Sequence, residues 1–276
     1  MQPGPGRPLV MGVLNVTPDS FSDGGLYDSY ERAVARGLEM MAEGADVVDV
    51  GGESSRPGAE PVPAEVELAR VVPVVEALAH SPVAAKRGVR VSVDTVKREV
   101  AEAAVAAGAS LVNDISASLW DLAATTGVGW VAMHMQGRPR TMQEDPRYAD
   151  VVADVRAFVL ARAALALGAG VGEVWVDPGI GFGKTPGHNL SLLRHLPELV
   201  DAAGGAGCAG VLVGTSRKRF LGLLGGGGGA EPVPVADRAE ASLATAAAAM
   251  VAGAGMLRVH DVAATVQVAR LYGPAA

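Results

Sequence analysis

Cysteine is almost missing from this chain: Cys208 is the single one in 276 residues. No disulfide can close within the chain, so the fold has to hold by packing. A reducing, cytoplasmic location is the expectation that goes with this usage. Cys208 lies among Ala and Gly, which suits a small buried thiol better than a nucleophile. Aromatics are scarce as well, at 4% of residues, although apolar residues reach 49%. The core must therefore be built from Ala, Val and Leu, as in helices packed closely on a sheet. Positive charge is in deficit, with 23 Lys and Arg against 30 Asp and Glu and a net charge of −7. That balance argues against nonspecific nucleic-acid binding and leaves room for local phosphate-binding patches. Long apolar runs are absent too. The N-terminal MQPGPGRPL has no apolar signal region. The longest uncharged stretch, Ala241 to Leu257, is rich in Ala and Gly and bracketed by Glu240 and Arg258. A membrane helix needs about 20 more strongly apolar residues. Neither a membrane nor a nucleic acid is expected as a partner.

What is present is an alternation. Short apolar runs, read as strands, occupy Leu9–Leu14, Asp46–Val50, Val89–Val93, Ser110–Asn113, Gly129–His134, Glu173–Asp177, Gly210–Val213 and Met256–Val259. Helix-period segments follow them at Tyr30–Glu43, Pro63–His80, Val96–Ala107, Leu119–Thr126, Ala149–Leu167, Asn189–Ala203, Arg238–Ala252 and Val262–Leu271. Strand then helix, repeated eight times, predicts an α/β fold: a single-domain (β/α)8 TIM barrel over residues 1–276. A doubly wound open sheet is the competing arrangement, and it would need fewer strands. EGADVVDV, AGASLVND and AGAGMLRV each set Gly at a helix stop before a buried strand. Residues 1–8 read as a tail, and the glycine-rich 224–235 as a flexible loop.

In a barrel the C-terminal strand ends share one face, where active sites form. Nearly every predicted strand here ends in hydrogen-bonding groups. They are Asn15, the GGESSRPGA segment after strand two, Asp94, Asn113 with Asp114, His134, Asp177, the GTSRKRF segment after strand seven, and Arg258 with His260. Asp94 and Asp177 are acceptors when ionised, and Asn113 is both donor and acceptor. Such a trio suits a flat heterocycle that presents N–H groups along one edge. Lys218, Arg258, His260 and Arg56 supply positive charge for phosphate or carboxylate. Asn15 offers an amide oxygen, a modest ligand for Mg²⁺ if a diphosphate supplies other oxygens. MGVLNVTPDSFSDGG, Met11 to Gly25, leaves its strand for a polar loop too long for a simple turn, as a site loop would.

Eight segments occur in order: LNVTPDSFSDGG, DVGGESSRPGA, SVDT, VNDIS, MHMQG, DPGIGFGK, GTSRKRFLG and RVHDV. Together they resemble the dihydropteroate synthase family, over about Met11 to Arg270. The resemblance implies a barrel that joins 6-hydroxymethyl-7,8-dihydropterin diphosphate to 4-aminobenzoate, releasing pyrophosphate. It implies Mg²⁺ on Asn15, and Asp94, Asn113, Asp177 and Lys218 around the pterin, with Met133 and Phe182 lining the slot. Arg258 and His260 would hold the diphosphate, Arg258 also flanking the ring, and Ser55 would touch the diphosphate. Ser55, Arg56 and Pro57 would lie near the aminobenzoate, and Phe21 and Asp23 would come from the first loop, which closes on the substrates. Arg219 would lie near the aminobenzoate, paired with its carboxylate or pointing to solvent. Many members carry Thr where Ser55 stands and Ser where Arg219 stands. The implied chemistry needs a leaving group and no protein nucleophile. Asn15, Asp23, Lys218, Arg258 and His260 are the implied catalytic set. His260 is open to two roles, anion contact or general base. Asp23, pyrophosphate and water remain alternative proton acceptors. A homodimer is the assembly the family implies. Two other readings are a pterin-dependent corrinoid methyltransferase and a catalytically silent pterin-binding paralogue. The retained anion-binding residues count against both.

Overall fold

Each strand is a short aliphatic run that ends in glycine or a polar residue, and each pairs in parallel with the next. In the computed structural model, which describes residues 6–17, 26–54, 58–226 and 231–272, these runs form one closed barrel. The strands are β1 (Leu9–Asn15), β2 (Val47–Gly51), β3 (Arg90–Asp94), β4 (Leu111–Asp114), β5 (Gly129–Met133), β6 (Val174–Asp177), β7 (Gly210–Val213) and β8 (Met256–Val259). β1 pairs with β2 on one side and β8 on the other, which closes the ring. The outer helices are α1 (Leu26–Glu43), α2 (Ala64–Ala79), α3 (Pro82–Arg87), α4 (Arg98–Ala106), α5 (Trp120–Thr126) and α6 (Val151–Gly168). After β6 come α7 (Pro186–Arg194), α8 (Leu196–Gly205), α9 (Arg219–Gly225), α10 (Ala239–Val251) and α11 (Val262–Leu271). This is the (β/α)8 barrel that the alternation predicts. Among the described residues no helix is long and apolar enough to cross a membrane.

Strand boundaries agree with the sequence to within one residue. Several strands run one residue further because the polar end residues still pair through their backbones: Asn15 with Gly51, Gly51 with Asp94, and Asp94 with Asn113. Helices differ more. The segment expected as one helix over Asn189–Ala203 is two, α7 and α8, broken at His195 (φ −100°, ψ 17°). Pro197 explains the break, since it lacks an N–H and in a continuous helix its ring would clash with the carbonyl four residues earlier. α3 and α9 were not expected. α3 starts at a Ser81 cap, whose Oγ accepts from the Ala84 N–H at 3.1 Å, and ends at a left-handed Gly88. Leu224 and Gly225, expected in the glycine-rich loop, form the last turn of α9, and Val235 opens a 3-10 turn to Arg238. The predicted helix stops hold: Gly44, Gly108 and Gly253 have φ of +105°, +110° and +90°. Those angles are costly for residues with a Cβ.

The two sides of each strand have different tasks, because side chains alternate across a strand. One set, including Val10, Val48, Val93, Val112, Val176 and Leu257, packs outward against the helices. The other points into the barrel. Met11, Val47, Leu111, Val131, Trp175, Leu212 and Met256 form an apolar plug there. Gly210 and Gly255 make room for Trp175, since a Cβ on either would stand 2.9 Å from its ring. Beneath the plug, Arg90 donates to both oxygens of Glu173 (2.7 and 2.8 Å), and the Trp175 indole N–H donates to Glu173 Oε1 (2.7 Å). Two residues further along the same strands, the inward positions change character. Val47 is followed by Asp49, Leu111 by Asn113, Trp175 by Asp177 and Met256 by Arg258. The plug is therefore the floor on which a polar layer rests.

Candidate active site

The polar layer is centred on Arg258. Its Nε donates to Asp49 Oδ2 at 2.7 Å and its Nη2 to Asp94 Oδ2 at 2.5 Å. Asp49 Oδ2 also accepts from Asn113 Nδ2 at 2.9 Å. Four strands, β2, β3, β4 and β8, are thus tied through one network. Burial works against the Arg258 charge, but Asp94 and Asp49 outweigh it and hold its pKa above the ordinary range. Burial raises Asp94 to about 7, with Arg258 pulling the other way and Asp49, Glu67 and Asp114 adding to the rise.

Asp177 is buried and accepts the Gly179 backbone N–H at 2.7 Å through Oδ1. Burial raises its pKa, and the Lys218 charge opposes that rise. Lys218 donates to the Ile180 carbonyl, and its Nζ lies 4.7 Å from the centre of the Phe182 ring. Burial lowers Lys218 to about 8, and Asp177 is the main group restraining the fall. Gly179 lets the β6 end turn tightly. Its φ is +64°, and a Cβ there would sit 1.8 Å from the His134 carbonyl oxygen. Met133 and Phe182 share one buried cluster with Ile115 and Met142. The result is an apolar wall beside two carboxylates, one amide and two cations. That combination can hold a flat heterocycle with an N–H edge.

The β7 end and the residues after β8 are locked together. Ser216 Oγ accepts the His260 backbone N–H at 3.2 Å and lies 3.0 Å from His260 Nδ1. Arg217 has φ +58° and is held on all sides. Its N–H donates to Ser242 Oγ (2.9 Å), its carbonyl accepts from Arg238 Nη1 (3.0 Å), and its guanidinium pairs with Asp261 (2.5 Å to Oδ1). A strained backbone fixed this firmly marks a place where position matters. Here it aims the next residue, Lys218, at the pocket.

The structure gathers Asp94, Asn113, Met133, Asp177, Phe182, Lys218 and Arg258 at the C-terminal end of the barrel, with Asn15 half-buried at the end of β1 and His260 after β8. Arg219 opens α9 and is exposed. Phe21, Asp23, Ser55, Arg56 and Pro57 lie outside the described residues. Just before the last three, Glu53 is tied to Lys97, which also donates to the buried Glu67 of α2. That contact anchors the start of the strand-two loop.

Two of the polar strand ends serve the scaffold. Asp114 has the opposite parity to Asn113 and accepts from the N–H groups of Ser116 (2.9 Å), Ser118 (2.7 Å) and Leu119 (2.7 Å). His134 lies 2.9 Å from Lys184 Nζ and packs edge-on to Phe158. Burial and the Lys184 charge drive its pKa down to about 3, so it stays neutral. Sequence reasoning missed Asp49, Ile115, Met142 and Lys184. Asp49 had a signal: it is an acidic residue inside an otherwise apolar buried run, at the parity of Gly51.

The model of the family described as pterin binding enzymes matches residues 11–260. A dihydropteroate synthase of Mycobacterium leprae is 48% identical over 96% of this chain and 92% of its own. The chain belongs to the dihydropteroate synthase family. Solved members of the family superpose well on the barrel. A Xanthomonas albilineans dihydropteroate synthase with 4-aminobenzoic acid has a TM-score of 0.84 at 46% identity, over 96% of this chain and 92% of the other. A structure from the same organism in complex with 7,8-dihydropteroate has a TM-score of 0.81 at 43% identity, over 98% and 94%. Within the family, the arrangement of acceptors at Asp94, Asn113 and Asp177 around a central arginine gives the residue pattern a spatial meaning.

Proposed function

We infer that the chain is a dihydropteroate synthase: it condenses 6-hydroxymethyl-7,8-dihydropterin diphosphate with 4-aminobenzoate to give 7,8-dihydropteroate and pyrophosphate. The observation that carries this reading is the converging layer of Asp94, Asn113, Asp177, Lys218 and Arg258 above the apolar plug. A pterin has ring and exocyclic N–H groups along one edge. Asp177 and Asp94 accept them, and Phe182 and Met133 cover the faces. The C–O bond from the pterin methylene to the diphosphate breaks, and its electron pair leaves with the diphosphate. The carboxylates favour the positive charge that the ring shares with the methylene. The aminobenzoate nitrogen then forms the C–N bond and loses a proton, which the departed pyrophosphate or water can take. His260 is read as an anion contact near the leaving group, because Nδ1 faces Ser216 beside Arg258. Arg258 is committed to Asp49 and Asp94, which supports its ring-flanking role. One such preorganised donor is commonly worth about 10² to 10³ in rate.

Asn15 fits Mg²⁺ in a particular way. It offers a single neutral amide oxygen at the rim, and among the described residues no cluster of His, Cys, Asp or Glu makes a protein cage. That donor set suits a hard ion that keeps waters and takes the rest of its ligands from diphosphate. Bound there, the ion would supply Lewis acidity at the leaving group. A homodimer is proposed as well. It rests on the family resemblance. Sedimentation at micromolar protein would read a single monomer mass if that proposal is wrong. A cytoplasmic location remains the proposal made from cysteine usage.

The deciding experiment is pyrophosphate release from dihydropterin diphosphate with Mg²⁺, with and without 4-aminobenzoate. Amine-dependent release together with dihydropteroate establishes the reading. Pterin binding without product would replace it by a silent binding protein. A pH dependence follows from Asp94, raised by burial to about 7. Its ionised form accepts a ring N–H more strongly than the neutral carboxyl does, so affinity for a phosphate-free pterin should rise between about pH 6 and about pH 8. Calorimetry that gives one Kd across that range would remove Asp94 from the pterin edge.

A further inference from the structure

We propose that Asp49 is a positioning residue that sets which way the Asn113 amide faces and holds Arg258 across the pocket. The proposal rests on the pterin reading of the site. Asp49 is 0% exposed and lies on β2, with Val13 and Ser92 as its ladder partners. Its Oδ2 takes two donors, Asn113 Nδ2 (2.9 Å) and Arg258 Nε (2.7 Å). A carboxylate can only accept, so Asn113 must turn its NH₂ toward Asp49. Its oxygen is then left on the other arm of the amide. With Asp94 and Asp177, the wall becomes a row of acceptors matched to an N–H edge. Without Asp49, the amide could rotate and set donors against donors.

The cost of this arrangement supports a purpose other than stability. Asp49 Oδ1 and Ser92 Oγ are buried and have no hydrogen-bond partner. A buried carboxylate with one bare oxygen is expensive, and an apolar residue like those in the plug below would pack the position more cheaply. Orientation is what the charge provides here. It fixes Arg258 at a second point, so the guanidinium lies between β2 and β3 and does not swing with the substrate.

The test is Asp49→Asn, measured by steady-state kinetics in both substrates beside the wild type. An amide at 49 can donate to Asn113, which frees the Asn113 amide to flip. The KM for the dihydropterin substrate should rise roughly tenfold to a hundredfold, as for one buried unsatisfied group, with the 4-aminobenzoate KM unchanged. Combining Asp49→Asn with Asn113→Asp swaps donor and acceptor, restores an acceptor to the wall and should recover most of the pterin KM. An unchanged pterin KM in Asp49→Asn, or no recovery in the pair, overturns the proposal. Should Asp49→Asn fail to fold, a neutron structure of the wild type with a pterin, in which the amide hydrogens are seen, decides. The Asn113 oxygen facing a ring N–H supports the proposal, and the amide nitrogen facing the ring overturns it. Absence of wild-type turnover in the same assay would instead count against the synthase reading.

Discussion

Asp177→Asn should leave the barrel folded and weaken pterin binding by about 2–5 kcal/mol, roughly 30-fold to a few thousandfold. The argument starts from the Gly179 N–H, which donates to Asp177 Oδ1 at 2.7 Å. Asparagine can keep that bond with its amide oxygen. Its NH₂ is then forced onto the second arm, where the carboxylate would have accepted a ring N–H. Donor meets donor in a site where Asp177 is only 4% exposed, so water cannot relieve the mismatch. Folding is a different matter. Burial raises the pKa of Asp177, so its charge is held at a cost, and a neutral isostere removes that cost along with the Lys218 attraction. Calorimetry with a phosphate-free pterin, run beside a thermal melt, separates the two effects. Near-normal affinity in a well-folded variant would take Asp177 out of the pterin site. A large drop in melting temperature would mean that Lys218 depends on Asp177 for its burial.

Legibility in the sequence followed the physics of each element. The strands could be read because eight buried aliphatic runs stand between helical patterns, and the rim residues followed from where those runs stop. Asp94, Asn113, Asp177 and Arg258 were found in this way, and the structure places all four in one layer. Parity along each strand carries the rest. Asn113 faces the pocket, while its neighbour Asp114 faces outward to cap the turn before α5. The same count along DVVDVG puts Asp49 inside the barrel. His134 and Lys184 could not be sorted from sequence, because their roles rest on a contact between β5 and the segment before α7. The helix miscounts have local causes. SPVAAKRG carries its own cap, proline and glycine, a signal for α3 that was present, and Pro197 marks the α7–α8 break. The family resemblance supplied what spacing could not, namely the substrates and the implied roles of the loop residues.

Replacing Arg258 by methionine should cost about 3–5 kcal/mol of stability at about pH 8, and much less in acid. Arg258 is the partner shared by Asp49, 0% exposed, and Asp94, 12% exposed. Methionine fills similar space but leaves two carboxylates side by side and uncompensated. Breaking a buried pair in this way costs more than replacing both partners, because the surviving charge has no answer. The pH sign follows from Asp94. Burial already raises it to about 7 against the pull of Arg258, and losing that pull raises it further. A carboxyl whose folded pKa lies above its unfolded value contributes stability below the unfolded pKa and loses it as pH rises through the folded one. The variant should therefore approach wild-type stability near pH 5 and fall away from it toward about pH 8. Urea midpoints at those two pH values give the answer. A deficit that is equal at both would show that packing of the arginine stem, and not charge, is what the site loses. Asp49→Asn added to the methionine variant should then recover stability at the higher pH, since it removes one of the two charges that Arg258 had answered.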